Sequence, residues 1–162
     1  MESMAIAEKL DALQSKPSLH LEMGHHKEVA EAVGMIVPAV LGLFMNAIVE
    51  NVLREPSKTW FAEDRHRRFG MTLAELEKKV APTAYENAQP GFEKLKQALT
   101  THKTDEGPFV LGSTPSYGDL IVGALFEGLR RCRPDQLEKM LGYDQSFRDV
   151  YEACKQWLHK DD

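Results

Sequence analysis

Apolar residues recur at helical spacing along most of the chain, and no convincing segment alternates between apolar and polar positions. That pattern predicts helices, because strict alternation is what a half-buried strand would show. Met4, Ile6, Ala7, Leu10 and Leu13 fall on one face of a first helix over 2–13. Lys16-Pro17-Ser18 ends it, since Pro17 has no amide to continue the ladder. A loop follows at 20–25. The second helix is expected over 27–53. Its first turns are amphipathic, but from Met35 to Val49 it is apolar on nearly every side, as a helix at the centre of a bundle would be. Pro38 should kink it.

A third segment runs from Ser57 and is broken by Gly70. Residues 71–101 read as one long helix or a broken pair, with bends at Pro82 and Pro90. Thr72-x-x-Glu75 has the spacing of an N-terminal capping box. Leu73, Leu76, Val80, Tyr85, Phe92, Leu95 and Leu99 provide the apolar positions. The loop over 101–112 carries an apolar pin, Phe109-Val110-Leu111. Ser116-x-x-Asp119 is a second capping box, with an acid in place of the usual Glu. It opens a buried helix over 120–132. A last helix over 146–158 presents Phe147, Val150, Tyr151, Cys154, Trp157 and Leu158 to the bundle.

Length and charge narrow the function classes. A chain of 162 residues is one domain by length and buries enough surface to fold without a disulfide or structural metal. A net charge of −5 disfavours nucleic-acid binding, where phosphate neutralisation supplies most of the affinity. Cys132 and Cys154, with no CxxC spacing, read as reduced thiols. The N-terminus lacks the basic and apolar regions of a signal peptide, and the 35–49 run falls short of a membrane span of about 20 residues. The expectation is a cytoplasmic protein that binds neither membrane nor nucleic acid.

The order of motifs carries a resemblance. The Gly112-Ser-Thr-Pro-Ser-Tyr-Gly-Asp119 segment resembles the N-capping box that opens the central helix of the glutathione transferase C-terminal domain. The stretches from Trp60 to Leu73, from Tyr85 to Leu95 and from Tyr151 to Leu158 resemble one subgroup of that family. It contains bacterial β-etherase-like and fungal secondary-metabolite transferases. Glu2-Ser3 followed by Ile6-Ala7-Glu8 is similar to the acid–Ser pair opening the last helix of the family's thioredoxin-like domain. The resemblance implies an all-α helical bundle over 17–162, preceded over 1–16 by a remnant of the other domain. Most of that domain, with the group that activates the thiolate, is expected to be missing.

The same resemblance assigns candidate residues. Glu2 and Ser3 would hold the γ-glutamyl end of glutathione; the bland alternative is a helix cap or a relic. Phe44, Met45, Asn46 and Val49 of the first long helix, with Phe126 and Arg130 of the central one, would line a pocket for an apolar small molecule. Core packing is the alternative for each. Arg65-His66-Arg67-Arg68 could bind a ligand carboxylate or phosphate, or pair with Glu63 and Asp64 as a solvated helix end. Arg130-Arg131-x-Arg133 suits the end of a helix. His20, His25 and His26 have no metal-ligand spacing, so no metal is expected.

Three functions stay open on these grounds. One is a glutathione-transferase-like enzyme performing thiol transfer, thioether cleavage or isomerisation, with a place in secondary metabolism. Another is a glutathione-independent cyclase or isomerase using the helical pocket. The third is a non-catalytic interaction module, a homodimer or a complex with a partner chain that covers an exposed apolar face.

Overall fold

The computed structural model describes residues 2–14 and 16–158. Among them are eight α-helices and no strand: α1 (Glu2–Leu13), α2 (His25–Asn51), α3 (Ser57–Phe69), α4 (Leu73–Val80), α5 (Ala84–Thr100), α6 (Tyr117–Cys132), α7 (Pro134–Leu141) and α8 (Gln145–Leu158). The architecture is the expected all-α bundle.

α2 is its central helix and packs most extensively on α5, then on α6 and α4. Val29, Ala32, Ile36, Val40 and Leu43 follow one another at three- and four-residue steps and are buried. They share a core with Ala88, Phe92, Leu95 and Leu99 of α5 and with Val122, Phe126 and Leu129 of α6. Burying each large side chain contributes roughly 1.5–3 kcal/mol, which outweighs the modest helix propensity of the β-branched residues. Gly91 lets α5 approach α2: a Cβ there would meet Ile36 Cγ1 at 2.7 Å and the Ile36 amide nitrogen at 3.0 Å.

Pro38 lies inside α2, and the helix continues through it. The expectation that this apolar run is too short for a membrane needs correction. α2 spans 27 residues with a mean hydropathy of 2.2 over its most apolar stretch, long and apolar enough to cross a membrane by length and composition alone. A core helix has the same composition, and here the apolar side chains of α2 form the centre of the bundle.

The 71–101 region is a broken pair, α4 and α5, parted by a turn at 81–83 that contains Pro82. Pro90 is absorbed within α5. α7 was not foreseen, although Pro134 at its first turn followed by Asp135 is a standard helix-start signal.

Both capping boxes form. Asp119 is fully buried and its carboxylate accepts from Ser116 N (2.7 Å), Ser116 Oγ (2.7 Å) and Val110 N (2.8 Å). The box therefore also pins the loop carrying Phe109, Val110 and Leu111, all buried.

Two apolar faces differ from expectation. Among the described side chains of α1 only Ala7 is buried; Ile6, Leu10 and Leu13 are 58%, 57% and 75% exposed. The helix is tied down by polar contacts instead: Asp11 Oδ1 accepts from Leu19 N (2.7 Å), and Leu19 O accepts from Tyr117 N (3.0 Å). On α8, Phe147, Val150, Tyr151 and Cys154 are buried, but Trp157 sits at the edge against the Phe109 ring.

Candidate functional site

Gly70 stops α3 in the left-handed conformation (φ 68°), which glycine adopts without steric cost, and its N–H donates to His66 O at 2.8 Å. Two residues later Thr72 caps α4: Thr72 N donates to Glu75 Oε2 (2.8 Å) and Glu75 N to Thr72 Oγ1 (3.3 Å). This reversal sets α3 and the start of α4 beside the C-terminal half of α2. Between them lies a cleft of about 710 Å³.

The cleft wall is mostly apolar. Val49 of α2, Ala62 of α3 and Leu73 and Ala74 of α4 line it, together with Asn46, Glu63, His66, Arg67 and Thr72. Val49 and Leu73 belong to a small core cluster with Met45, so the floor is firmly packed.

The charges of α3 divide between structure and cleft. Asp64 is buried and pairs with Arg65 and, at 2.9 Å, with Arg68. Arg65 also lies over the Phe61 ring, 4.4 Å from its centre. Arg67 forms no ion pair among the described residues, and both it and His66 border the cleft. The solvated-helix-end reading thus holds for Arg65 and Arg68, while His66 and Arg67 are left at an apolar depression.

The six residues expected around an apolar pocket do not converge on one place. Asn46 and Val49 line the cleft, and Asn46 Nδ2 donates to Glu50 Oε1 at 3.2 Å. Met45 lies beneath it in the small cluster. Phe44 and Phe126 lie in the main core, Phe126 between the Phe147 and Tyr151 rings. Arg130 is engaged elsewhere: its Nε and Nη2 bind the two Glu127 carboxylate oxygens at 2.8 and 2.7 Å. Glu127 also accepts from Arg131 Nε (3.0 Å) and Tyr151 Oη (3.1 Å). The Arg130 hydrogen bonds, with those of Arg131 and Tyr151, hold the Glu127 carboxyl down at about 2 against its burial. Burial, then the Glu127 hydrogen bond, pushes the Tyr151 phenol up to about 12.

Ser3 is exposed and borders a second groove, of about 790 Å³, between α1, the 17–19 segment and the start of α6. The Glu2 side chain lies outside the described residues. Ile6, Leu10, Leu13, Pro17, Leu19 and Leu120 make this groove apolar, and it shares no lining residue with the cleft.

The chain's thiols are poor nucleophiles. Burial, with Asp119 adding to it, pushes the Cys154 thiol up to about 12, and burial raises Cys132 as well. His26 is buried with no hydrogen-bond partner for either ring nitrogen among the described residues, and burial lowers its pKa. Its neighbour His25 points elsewhere: the His25 ring stacks on His102 at 3.9 Å, and His102 Nε2 lies 2.9 Å from Glu28 Oε2.

Sequence reasoning placed Asn46 and Val49 at a pocket but missed the opposite wall. The signal was present in Arg65-His66-Arg67-Arg68 directly before Gly70. Which of those cations turns toward the cleft depends on Asp64 drawing in Arg65 and Arg68.

Among known proteins, the family model described as "Glutathione S-transferase, C-terminal domain" matches residues 26–157. No curated protein matches the chain. No solved structure matches it either.

Proposed function

Since the chain belongs to the glutathione S-transferase C-terminal domain family, we propose that it binds an apolar small molecule bearing an acidic group in the cleft between α2, α3 and α4. The observation that carries this reading is Arg67, without an ion-pair partner among the described residues, beside His66 in a cleft whose apolar wall is Val49, Ala62, Leu73 and Ala74 and whose polar lining is completed by Asn46, Glu63 and Thr72. A guanidinium at an apolar surface attracts a carboxylate or sulfonate, and the apolar wall takes the remainder of the molecule.

The chemistry proposed is transferase-like: thiol transfer, thioether cleavage or isomerisation, with a place in secondary metabolism. Cys132 and Cys154 carry raised pKa values, so the thiolate in this reading comes from glutathione. Ser3, with Glu2, is the proposed contact for it. A glutathione-independent cyclase or isomerase would use the same cleft to fold its substrate.

The test is a fluorescence titration of the whole chain with naphthoate and with its methyl ester. Naphthoate should bind more tightly, and Arg67→Gln should weaken it about tenfold or more while leaving the ester unchanged, as loss of a charged hydrogen bond does. Equal affinity of both probes for wild type and variant refutes the acid-recognition reading. Calorimetry with millimolar glutathione tests the cofactor separately; a flat titration removes glutathione from the proposal and leaves the cleft standing.

A second reading rests on the open face of α1. Ile6, Leu10 and Leu13 continue into Leu120 and Trp157, an apolar surface of the kind that acquires a partner. We propose a second copy of the chain as that partner. Light scattering should give a dimer that Leu13→Lys disperses, and a wild-type monomer refutes it.

A further inference from the structure

We propose that His25, Glu28 and His102 form a binding site for a zinc-class divalent cation at the junction of α2 with the end of α5. His25 and Glu28 are three residues apart in the first turns of α2, so they project from one side of the helix. His102 arrives from the loop that follows α5. One ligand atom of each lies within 4.8 Å of the others.

The donor set selects the metal class. Two imidazoles and one carboxylate suit zinc and its transition-metal neighbours, whereas magnesium and calcium take oxygen ligands. In a tetrahedral site with bonds of about 2.1 Å the ligand atoms sit roughly 3.4 Å apart. His102 Nε2 and Glu28 Oε2 are already closer than that, at 2.9 Å. His25 needs the larger adjustment. Its ring is stacked on His102 with an interplanar angle of 25°, so the nitrogen lone pairs of the two rings lie in nearly parallel, offset planes rather than aiming at one point. A rotation of the half-buried His25 ring about its terminal torsion, a soft coordinate, turns its lone pair toward the other two.

The surroundings permit this. Glu28 is exposed, and His25 and His102 are only partly buried, so a hydrated ion can reach them. Three protein ligands leave one position for water, the open pattern rather than the closed structural one. The positive end of the α2 dipole opposes a cation, but that is a weak, screened effect beside three coordinate bonds. Bound metal would tie the start of α2 to the end of α5, the two helices that pack most extensively.

The experiment uses the untagged full chain. Calorimetric titration with zinc chloride should show one equivalent bound, and magnesium chloride none. His102→Ala, His25→Ala and Glu28→Gln should each weaken zinc by roughly 100-fold, the upper end of what losing even an outer-shell partner costs. His20→Ala should leave it unchanged. In nuclear magnetic resonance spectra, zinc should shift the imidazole signals of His25 and His102 and leave those of His20 and His66 in place. Circular dichroism identifies any variant that fails to fold; the exposed Glu28→Gln change keeps the test decisive in that case. No zinc binding at micromolar concentration, or binding that all three ligand variants retain, overturns the proposal.

Discussion

Replacing Asp119 by alanine isolates the bond that organises the second half of the bundle. The carboxylate is fully buried and accepts three hydrogen bonds, two of them from backbone amides that are themselves buried, Val110 N and Ser116 N. Removing it leaves both amides without an acceptor. An unsatisfied buried donor costs about 1–3 kcal/mol, so the pair costs about 2–6 kcal/mol. Relief from burying a charge recovers part of this, which places the expected loss near 4 kcal/mol. For a chain of 162 residues, each kcal/mol lowers Tm by roughly 2–4 °C, so Tm should fall by about 8–16 °C. Asp119→Asn keeps one oxygen. If it faces Val110, the amide NH2 meets Ser116 N–H donor to donor, so about half the loss is expected. Urea and thermal unfolding followed by circular dichroism measure the difference, with Asp149→Ala on the exposed side of α8 as the control within about 0.5 kcal/mol. A loss below about 1 kcal/mol for Asp119→Ala would refute the reasoning, because it would mean that the two amides find other acceptors.

Glu127 should make the fold acid-sensitive. Its carboxyl sits at about 2 in the native state against an ordinary 4.5, so its contribution is complete above pH 4.5 and fades as pH falls toward 2. Glu127→Gln should lower stability by about 1–2 kcal/mol at pH 7 and flatten the decline between those values, read from urea midpoints across pH. Gly91→Ala drives a Cβ into Ile36, including its backbone nitrogen, and should cost about 1–3 kcal/mol despite the better helix propensity of alanine; an unchanged Tm would mean that α5 can move away from α2. Leu13→Lys, on the face proposed to join two copies, should make Tm independent of protein concentration, whereas the wild-type Tm should rise with concentration; a variant Tm that still rises would place the interface elsewhere.

The parts of this protein legible in the sequence are those decided within a few residues. Thr72 and Glu75, like Ser116 and Asp119, are three positions apart, so each capping box is a property of one local segment. The helical spacing of Val29, Ala32, Ile36, Val40 and Leu43 likewise needs only its own helix. Periodicity says which residues share a face but not what covers the face. Ile6, Leu10 and Leu13 are therefore aligned as foreseen and yet exposed, while Phe44 and Phe126, expected at a pocket, are enclosed in the core.

The cleft and the histidine cluster were decided by tertiary structure. Arg67 is distinguished from Arg65 and Arg68 by where Asp64 is buried and by which side of α3 meets Val49 and Leu73. His25 and His26 are adjacent in sequence and look interchangeable there. The turn of α2 sends His26 into the bundle against Tyr117 and His25 out to meet His102, from far along the chain. The sequence by itself determined the helices apart from α7, the two capping boxes and the family. Which side chains face a common space depended on how α2 packs against α3, α4 and α5, because convergence of distant groups is a property of packing rather than of any local pattern.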